Sequence, residues 1–387
     1  MLEFRNFVIN PGYFSTQIIT SDKSDTIEFE LSEKFIPNND LIAVALSTLC
    51  GTQYKNIYMD LLVSTEALEG IKKFTQANVT VKGENLSPPT YKNRTNNIIL
   101  NFSGGFDSLA ALCIMPDNTK LVSIDFGHWF IAEQKFFAKF APYTVKTNFR
   151  QLKYDKASWT FKGIASILYS EHLGGGLNTF GTILEATPYN FISYQRINKT
   201  GIVQPFNLVG LTDVKFTHGL TEVGTAMVLS HYKPELINDS LQSLSKPGSE
   251  KRYRKQLLTS IVSKKFNKNI FIELTDKPIS QVDFGTNFAL DFLALYELKH
   301  VSLSEVNATV INIPQEVIAL VNRLSLNFYE KLNTNFLDGV PKGYRAEFLA
   351  KLSCAKIYPY NEQDWQEYRE VILLLSKYHE NLAKIIQ

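Results

Sequence analysis

The sequence predicts an α/β fold with a parallel-sheet core, an N-terminal α+β domain and a helical C-terminal region. Strand and helix patterns alternate between residues 97 and about 240, which is typical of a parallel sheet covered by helices. A polar stretch with a Pro-Pro pair at 84–97 precedes this part, and helical periodicity dominates after residue 250. We therefore expect domains at 1–95, 97–260 and 261–387.

Composition and charge are those of an ordinary globular protein. Hydrophobic residues make up 44% of the 387 residues, and 40 Lys and Arg against 38 Asp and Glu leave a net charge of +2. The three cysteines, Cys50, Cys113 and Cys354, form no CxxC pair, which disfavours a zinc site or a disulfide framework. We expect a cytoplasmic protein without a membrane association, because the sequence shows neither a signal-peptide pattern nor an apolar run near the ~18–20 residues of a span.

The N-terminal domain should contain short strands and two helices. Residues 27–33 alternate between apolar and polar side chains like a strand, and the helix expected at 40–51 ends at Gly51. The further elements are a strand at 58–64, a helix at 64–78 and a strand at 79–83.

The central and C-terminal parts follow from the same periodicities. In the central part we expect strands at 98–102, 121–127, 144–149 and 177–184, and helices at 107–115, 132–141 and 163–173. In the C-terminal part we expect helices at 254–266, 288–299, 314–332 and 365–386, and one strand at 270–274. Because ligands of parallel sheets bind at the carboxyl ends of the strands, the loop after strand 98–102 is the first candidate for a site.

That loop reads SGGFDS, residues 103–108. Gly104 and Gly105 allow successive backbone N–H groups to close on an anion, and the helix that begins near Asp107 adds a positive dipole end. The hydroxyls of Ser103 and Ser108 are further donors. The lysine of a Walker A loop is missing, and Asp107 implies a bridging Mg²⁺. The alternative is a generic strand–helix turn with Asp107 as a helix cap.

SGGFDS resembles the PP-loop of the ATP pyrophosphatase superfamily (adenine nucleotide alpha hydrolase-like), which has a Rossmann-like HUP core. The superfamily includes asparagine synthetases, GMP synthetases, tRNA thiolases and 7-cyano-7-deazaguanine synthases. The resemblance implies cleavage of ATP between the α and β phosphates and adenylation of a carboxylate or carbonyl oxygen, after which a nitrogen or sulfur nucleophile displaces AMP. It also implies that Mg²⁺ and pyrophosphate are held by the loop residues Ser103, Gly104, Gly105, Phe106, Asp107 and Ser108.

Within the superfamily, the stretch IDFGHWFIAEQ (124–134) is similar to a DYGQxHxxE stretch of the 7-cyano-7-deazaguanine synthases. This similarity implies that the nucleotide lies next to Ile124, Asp125, Phe126 and Gly127. Gly181 looks like the glycine that these enzymes carry on the next strand over the nucleotide. HGLTEVGTAMVL (218–229) is similar to their GLTKxEV segment, although a helix started by Thr221 without a ligand role explains it equally well.

The sequence departs from these synthases at their four-cysteine zinc site. The corresponding stretch, 240–258, holds no cysteine, so no zinc is expected. Instead it carries the cations Lys246, Lys251, Arg252, Arg254 and Lys255. We expect them, with Lys251 and Arg254 foremost, to stabilise the charge of the phosphates during catalysis. The alternatives are a solvated basic start of a helix and a nucleic-acid patch extended by Lys264, Lys265 and Lys268.

Other chemistry-bearing residues are less decisive. His128 and His218 are candidates for a base that faces the cleft, with a structural role as the commoner outcome for a single histidine. Glu185 is a candidate for contact with a substrate or a metal. Cys113 fits a core position. Position 2 is Leu2, so the catalytic cysteine of glutamine-dependent relatives is missing. Nitrogen would then come from ammonia, an amine substrate or a partner protein.

Two functional hypotheses remain from the sequence. The first is an ATP- and Mg²⁺-dependent, AMP- and pyrophosphate-forming enzyme of the deazaguanine synthase-like type, acting on a small molecule, a nucleobase or a protein terminus. Because divergent relatives lie beside anti-phage defence genes, the resemblance permits a role in such a cassette. The second is a non-catalytic nucleotide-binding subunit of a multiprotein complex.

Overall fold

A computed structural model describes residues 1–85, 95–127, 130–191, 204–244, 246–272, 277–278 and 281–386. The chain forms two compact units. Unit 1 comprises Met1–Ser103, Asp117–Phe180 and Gly201–Val214. Unit 2 comprises Gly104–Pro116, Gly181–Thr200 and Lys215–Gln387.

The described residues form the following strands and helices. The strands are β1 Leu2–Asn10, β2 Tyr13–Ile19, β3 Ser24–Leu31, β4 Asn56–Ser64, β5 Asn78–Asn85, β6 Asn97–Asn101, β7 Lys120–Asp125, β8 Tyr143–Thr147, β9 Gly175–Phe180, β10 Thr212–Asp213, β11 Val282–Asp283 and β12 Val310–Ile311. The α-helices are α1 Asn39–Ser47, α2 Thr65–Thr75, α3 Phe106–Ile114, α4 Ile131–Phe137, α5 Ile164–Tyr169, α6 Pro205–Leu208, α7 Glu222–Tyr232, α8 Ile237–Leu244, α9 Glu250–Lys265, α10 Phe288–His300, α11 Leu303–Val306, α12 Gln315–Arg323, α13 Arg345–Cys354, α14 Glu362–Leu375 and α15 Glu380–Ile386.

Unit 1 is built on one ten-stranded sheet in the order β10-β9-β6-β7-β8-β3-β2-β1-β4-β5. The pairs from β10 to β8 are parallel, the pairs that join β8, β3, β2 and β1 are antiparallel, and β1, β4 and β5 are again parallel. This confirms an α/β class with a largely parallel sheet. The four strands predicted between residues 97 and 184 are present, whereas the periodicity does not predict β1 and β2.

The core of unit 1 explains why these segments pack as they do. Helix α1 is buried along all sides, from Asp40 to Ser47, which is expected of a helix that is apolar all round. In the antiparallel strands, Phe14 stacks on Phe29 at 4.5 Å between ring centroids. Both rings are fully buried, so they provide a large part of the apolar contact on that face of the sheet.

Unit 2 is mainly helical. Helix α3 packs on α7, α8 and α13, and α9 packs on α7, α8 and α10. A two-residue parallel bridge joins β11 to β12. The expected helix at 314–332 ends at Arg323, the one at 365–386 is divided into α14 and α15, and residues 270–272 of the expected strand 270–274 are not in a strand, with 273–274 outside the described residues.

The units differ from the division at 1–95, 97–260 and 261–387. Strands from both sides of 84–97 share the sheet of unit 1, and α3 belongs to the helical unit 2. Most of the expected linker, residues 86–94, lies outside the described residues. The periodicity predicts β3 to β9 but not the antiparallel strands β1 and β2.

Candidate functional site

The glycine loop is held in place from unit 2. Gly104 has a φ of +74°, a left-handed conformation that favours glycine. The Ser240 hydroxyl donates to the Gly104 carbonyl at 3.1 Å. Gly105 is the N-cap residue of α3 and has no side chain with which to cap it, while its carbonyl accepts from the Ser108 hydroxyl at 2.9 Å. Asp107 is therefore not the N-cap residue, contrary to the simple-turn alternative.

The Asp107 carboxylate is the polar centre of the site. Its Oδ1 accepts from the Thr225 hydroxyl at 3.2 Å and from Lys255 Nζ at 3.0 Å. The Asp107 side chain is 27% exposed, whereas that of Lys255 is 2% exposed. One carboxylate oxygen is thus fixed by α7 and α9 at the first turn of α3, on a side chain that solvent still reaches.

A buried charge network lies behind Asp107. Lys255 Nζ also pairs with Glu222 Oε1 at 2.8 Å, and Arg254 pairs with Glu222 Oε2. Arg254 Nε donates to Glu250 Oε1 at 2.6 Å. Burial opposes the charge of Glu222, but Arg254 and Lys255 outweigh it and lower the pKa of this carboxyl to about 2. The glutamate of the GLTEV segment is therefore an anion that binds two cations of the basic segment.

Two further carboxyls beside this network are held neutral at pH 7. The backbone N–H of Glu222 donates to Glu185 Oε1 at 2.6 Å, and burial, followed by the charge of Glu222, raises the pKa of Glu185 to about 8. Burial likewise raises the pKa of Glu297 to about 8, against the influence of Arg254. Because such a group keeps its proton near neutral pH, Glu185 can donate as well as accept.

Gly181 packs directly on the start of α3. A Cβ atom at this position would lie 2.5 Å from the Ser108 N atom and 2.6 Å from the Asp107 carbonyl carbon. Both are backbone atoms, so a side chain would displace the first turn of α3. The structure therefore brings Gly181 together with Asp107 and Ser108.

The residues expected near adenine belong to unit 1, as does Ser103. Ile124 and Asp125 end β7, and the Asp125 carboxylate accepts from the Gly127 N–H at 2.8 Å. Gly127 has a φ of +62°, and the Phe126 carbonyl accepts from Gln151 Nε2 at 3.1 Å. Asp125 thus stabilises the turn that follows its own strand.

The cations of 246–255 differ in their surroundings. Arg254 and Lys255 are buried and paired with carboxylates, so a solvated basic helix start is wrong for these two. Arg252 is also buried, whereas Lys246 and Lys251 are exposed. The ammonium of Lys251 makes no hydrogen bond or ion pair with the described residues, while Arg254, the other expected catalytic cation, is held by two glutamates.

The candidate residues His218, His128 and Cys113 differ in what the structure shows of their surroundings. His218 stacks on Phe336 at 4.8 Å, and burial lowers the pKa of its imidazole to about 3. His128 lies outside the described residues. Burial raises the pKa of Cys113 to about 12, which makes the thiol a poor nucleophile, but the residue is half-buried rather than part of the buried core.

Sequence reasoning missed Thr225, Ser240 and Glu297 as parts of the site. Thr225 follows Glu222 by three residues on α7, so helical spacing alone would have placed both on one face. Ser240 and Glu297 come from helices far away in the sequence, and no local pattern indicates their contacts.

No protein-family model, curated protein or solved structure matches this chain. Within the described ranges, no group of three or more His, Cys, Asp or Glu side chains is arranged to hold a metal ion. The described helices include none with the length and apolar character needed to cross a bilayer.

Proposed function

We propose that this protein is an ATP-dependent enzyme that forms AMP and pyrophosphate, as its SGGFDS loop resembles the PP-loop. The observation that carries the proposal is the Asp107 carboxylate, fixed at the start of α3 by Lys255 and Thr225 yet partly exposed. The left-handed Gly104 and the absence of a side-chain cap from Gly105 suit an anion at this helix N-terminus.

The donor set fits Mg²⁺ bound together with nucleotide phosphates. Mg²⁺ is usually held by one or two carboxylates and completed by phosphate oxygens and water. Asp107 would be its protein ligand. Because the contacts to Thr225 and Lys255 are both made by Oδ1, the other carboxylate oxygen, Oδ2, is the one that would bind the metal. When bound, Mg²⁺ would offset the repulsion between the phosphates and this carboxylate.

The cations of α9 would have two different electrostatic roles. Lys255 and Arg254 hold Asp107 and Glu222 in place, which preorganises the site. Lys251, exposed on the same helix α9, is the candidate for direct contact with phosphate oxygens. In the proposed reaction a substrate carboxylate or amide oxygen bonds to the α-phosphorus, the bond to the bridging oxygen breaks, and pyrophosphate leaves. A nitrogen nucleophile then displaces AMP.

The test is calorimetric titration of ATP with and without Mg²⁺, on wild type and on Asp107→Ala, with Asp22→Ala as a control at an exposed aspartate. We expect Mg²⁺-dependent binding that Asp107→Ala abolishes and Asp22→Ala retains, followed by pyrophosphate release when candidate acceptors are added. Binding of equal strength in wild type and Asp107→Ala would refute the assignment of the loop.

A second candidate is a non-catalytic nucleotide-binding subunit. It is favoured by one observation, that the charges of Arg254 and Lys255 are already neutralised by Glu222, Glu250 and Asp107. Nucleotide binding without pyrophosphate release, in the presence of ammonia, amines, nucleobases, peptide termini and partner proteins from a defence cassette, would support this candidate over the enzyme.

A further inference from the structure

The segment that follows strand β8, residues 148–163, combines positive charge with aromatic rings. Its cations are Arg150, Lys153, Lys156 and Lys162, its aromatic residues are Phe149, Tyr154, Trp159 and Phe161, and Asp155 is its one acidic residue. We call residues 148–163 the basic–aromatic segment. Phe149, Tyr154 and Phe161 are buried in the core of unit 1, so Trp159 is the exposed ring of this segment. Cations near an exposed aromatic ring are typical of surfaces that bind single-stranded nucleic acid.

Trp159 has an exposed but supported ring. Its side chain is 49% exposed, although tryptophan is usually well buried. The indole contacts the Phe180 ring edge-on at 5.5 Å between centroids and lies 6.2 Å from the Phe206 ring. Phe180 and Phe206 are buried, so the indole rests on the core of unit 1 and presents its remaining surface to solvent. A planar ligand can stack there with little loss of side-chain freedom.

Lys162 lies on the same face as Trp159. Residues 159–163 form a 3₁₀-helix, whose first turn is capped by the Ser158 hydroxyl accepting from the Thr160 N–H at 3.2 Å. In a 3₁₀-helix the side chains of residues i and i+3 eclipse each other. The exposed residues Lys162 and Trp159 therefore lie on one face of this helix, an arrangement that suits a base on the ring and a phosphate on the ammonium.

The remaining cations extend this positive surface. Asp155 pairs with Arg150 at 3.2 Å and with Lys156 at 3.6 Å, so it offsets part of their charge. Lys153 and Lys162 are exposed, and neither has an acidic partner among the described residues. The guanidinium of Arg150 also stacks on the Phe130 ring at 4.1 Å. The segment thus keeps a net positive charge after its ion pairs are counted.

The position of the basic–aromatic segment in the fold also suits a ligand-binding site. Strand β8 ends at Thr147, just before the segment, and β9 ends at Phe180, which supports Trp159. Parallel strands bind their ligands at such carboxyl ends. We infer that the basic–aromatic segment binds single-stranded nucleic acid, with one base stacked on Trp159 and the backbone phosphates held by Lys153 and Lys162. A single strand fits because its bases are free to stack on a side chain, whereas those of a duplex are not.

Fluorescence anisotropy with labelled oligothymidylate and oligouridylate, at low salt and without ATP, tests the inference. Trp159→Ala should weaken binding by about tenfold or more, the range found for loss of one stacked base, and Trp159→Phe should retain most of the affinity. Lys153→Gln and Lys162→Gln should each reduce the slope of log affinity against log salt by about 0.7. A preference between oligouridylate and oligodeoxyuridylate, which carry the same base, distinguishes RNA from DNA as the ligand.

Controls address binding elsewhere and loss of folding. Lys264→Gln removes an exposed cation at the end of α9 in unit 2, in the alternative basic patch, and should leave affinity unchanged. Each variant's thermal unfolding is recorded so that a folding defect is not taken for lost binding. Absence of binding by wild type, equal binding of duplex and single strand, or unchanged affinity of Trp159→Ala would overturn the inference. Because no ATP is present, these outcomes are independent of the proposed ATP chemistry.

Discussion

Lys255 connects the loop carboxylate to the interior of unit 2. Its ammonium is almost fully buried and bridges Asp107 and Glu222 at 3.0 and 2.8 Å. The charges of these two carboxylates outweigh the effect of burial, so the pKa of Lys255 is raised above its usual value. Removal of one member of such a buried group leaves uncompensated charge, which costs more than an exposed ion pair contributes.

Lys255→Met should therefore destabilise the protein by about 3–5 kcal/mol, the cost of breaking a buried pair. The matched control is Lys264→Met, nine residues later on α9, which removes an exposed lysine and should change stability by no more than about 0.5 kcal/mol. Urea unfolding at pH 7 measures both. Equal stability of the two variants would contradict the importance given to the buried network.

Glu185 should make stability depend on pH. Because the pKa of Glu185 is about 8 in the folded protein, the folded state keeps a proton that the unfolded chain releases above its ordinary pKa. Stability from this group therefore falls as pH rises from about 4.5 to 8, by an amount on the order of 3 kcal/mol at pH 7. Glu185→Gln should flatten that fall, whereas the exposed Glu235→Gln should not. Urea unfolding at pH 5 and pH 8 measures the effect. An equal loss of stability in wild type, Glu185→Gln and Glu235→Gln would contradict the prediction.

The sequence predicts those residues of the site whose contacts are local, and not those whose contacts are distant in the chain. Gly104, Asp107 and Gly181 stand in recognisable strand–helix contexts, and the structure places all three at the start of α3. The pairing of Lys255 with Glu222 joins residues 33 positions apart through two packed helices. No periodicity encodes such a contact. The sequence therefore predicts that the cations of the basic segment are available to phosphates, whereas Arg254 and Lys255 are already paired with carboxylates.

Helix ends show the same limit among the secondary-structure elements. The periodic stretch 314–332 predicts one helix, but α12 ends at Arg323. The carboxylate of Glu367, on α14, accepts from the Ser325 and Leu326 N–H groups, and Leu326 adopts a left-handed φ of +58°. A distant carboxylate therefore offers the backbone an alternative to helical hydrogen bonds.

Gly181→Ala tests how closely the start of α3 is packed. The added Cβ would approach backbone atoms of Asp107 and Ser108 to about 2.6 Å or less, so the first turn of α3 must shift. We expect a loss of about 1–3 kcal/mol, as for overpacked sites, together with weaker Mg²⁺-dependent ATP binding. Gly343→Ala is the matched control, since a Cβ there meets nothing within 4 Å. Identical unfolding curves and ATP affinities for the two variants would contradict the prediction.

In the molecule as a whole, the antiparallel strands β1, β2 and β3 join two parallel groups into one sheet. Alternation of strands and helices made the parallel group β6–β9 predictable, since each of these strands is followed by a turn or helix of its own. The pairing of β3 with β8 joins residues more than one hundred positions apart. The polar stretch at 84–97 looked like a domain boundary because long-range strand pairing has no local sequence signal.

The cooperativity of unit 1 can be tested at Phe29, which connects the two halves of its sheet. Phe29 is fully buried in β3, pairs with Thr147 of β8 and lies 6.3 Å from the Phe149 ring. Phe29→Ala should lower the free energy of unfolding by about 3–5 kcal/mol. Because both groups of strands belong to one sheet, hydrogen exchange should accelerate together in β1–β4 and in β7–β8. Leu62→Ala, at an exposed position of β4, should leave both groups protected. Faster exchange confined to residues 1–85 would instead mean that 1–95 is a folding unit of its own, as the sequence first indicated.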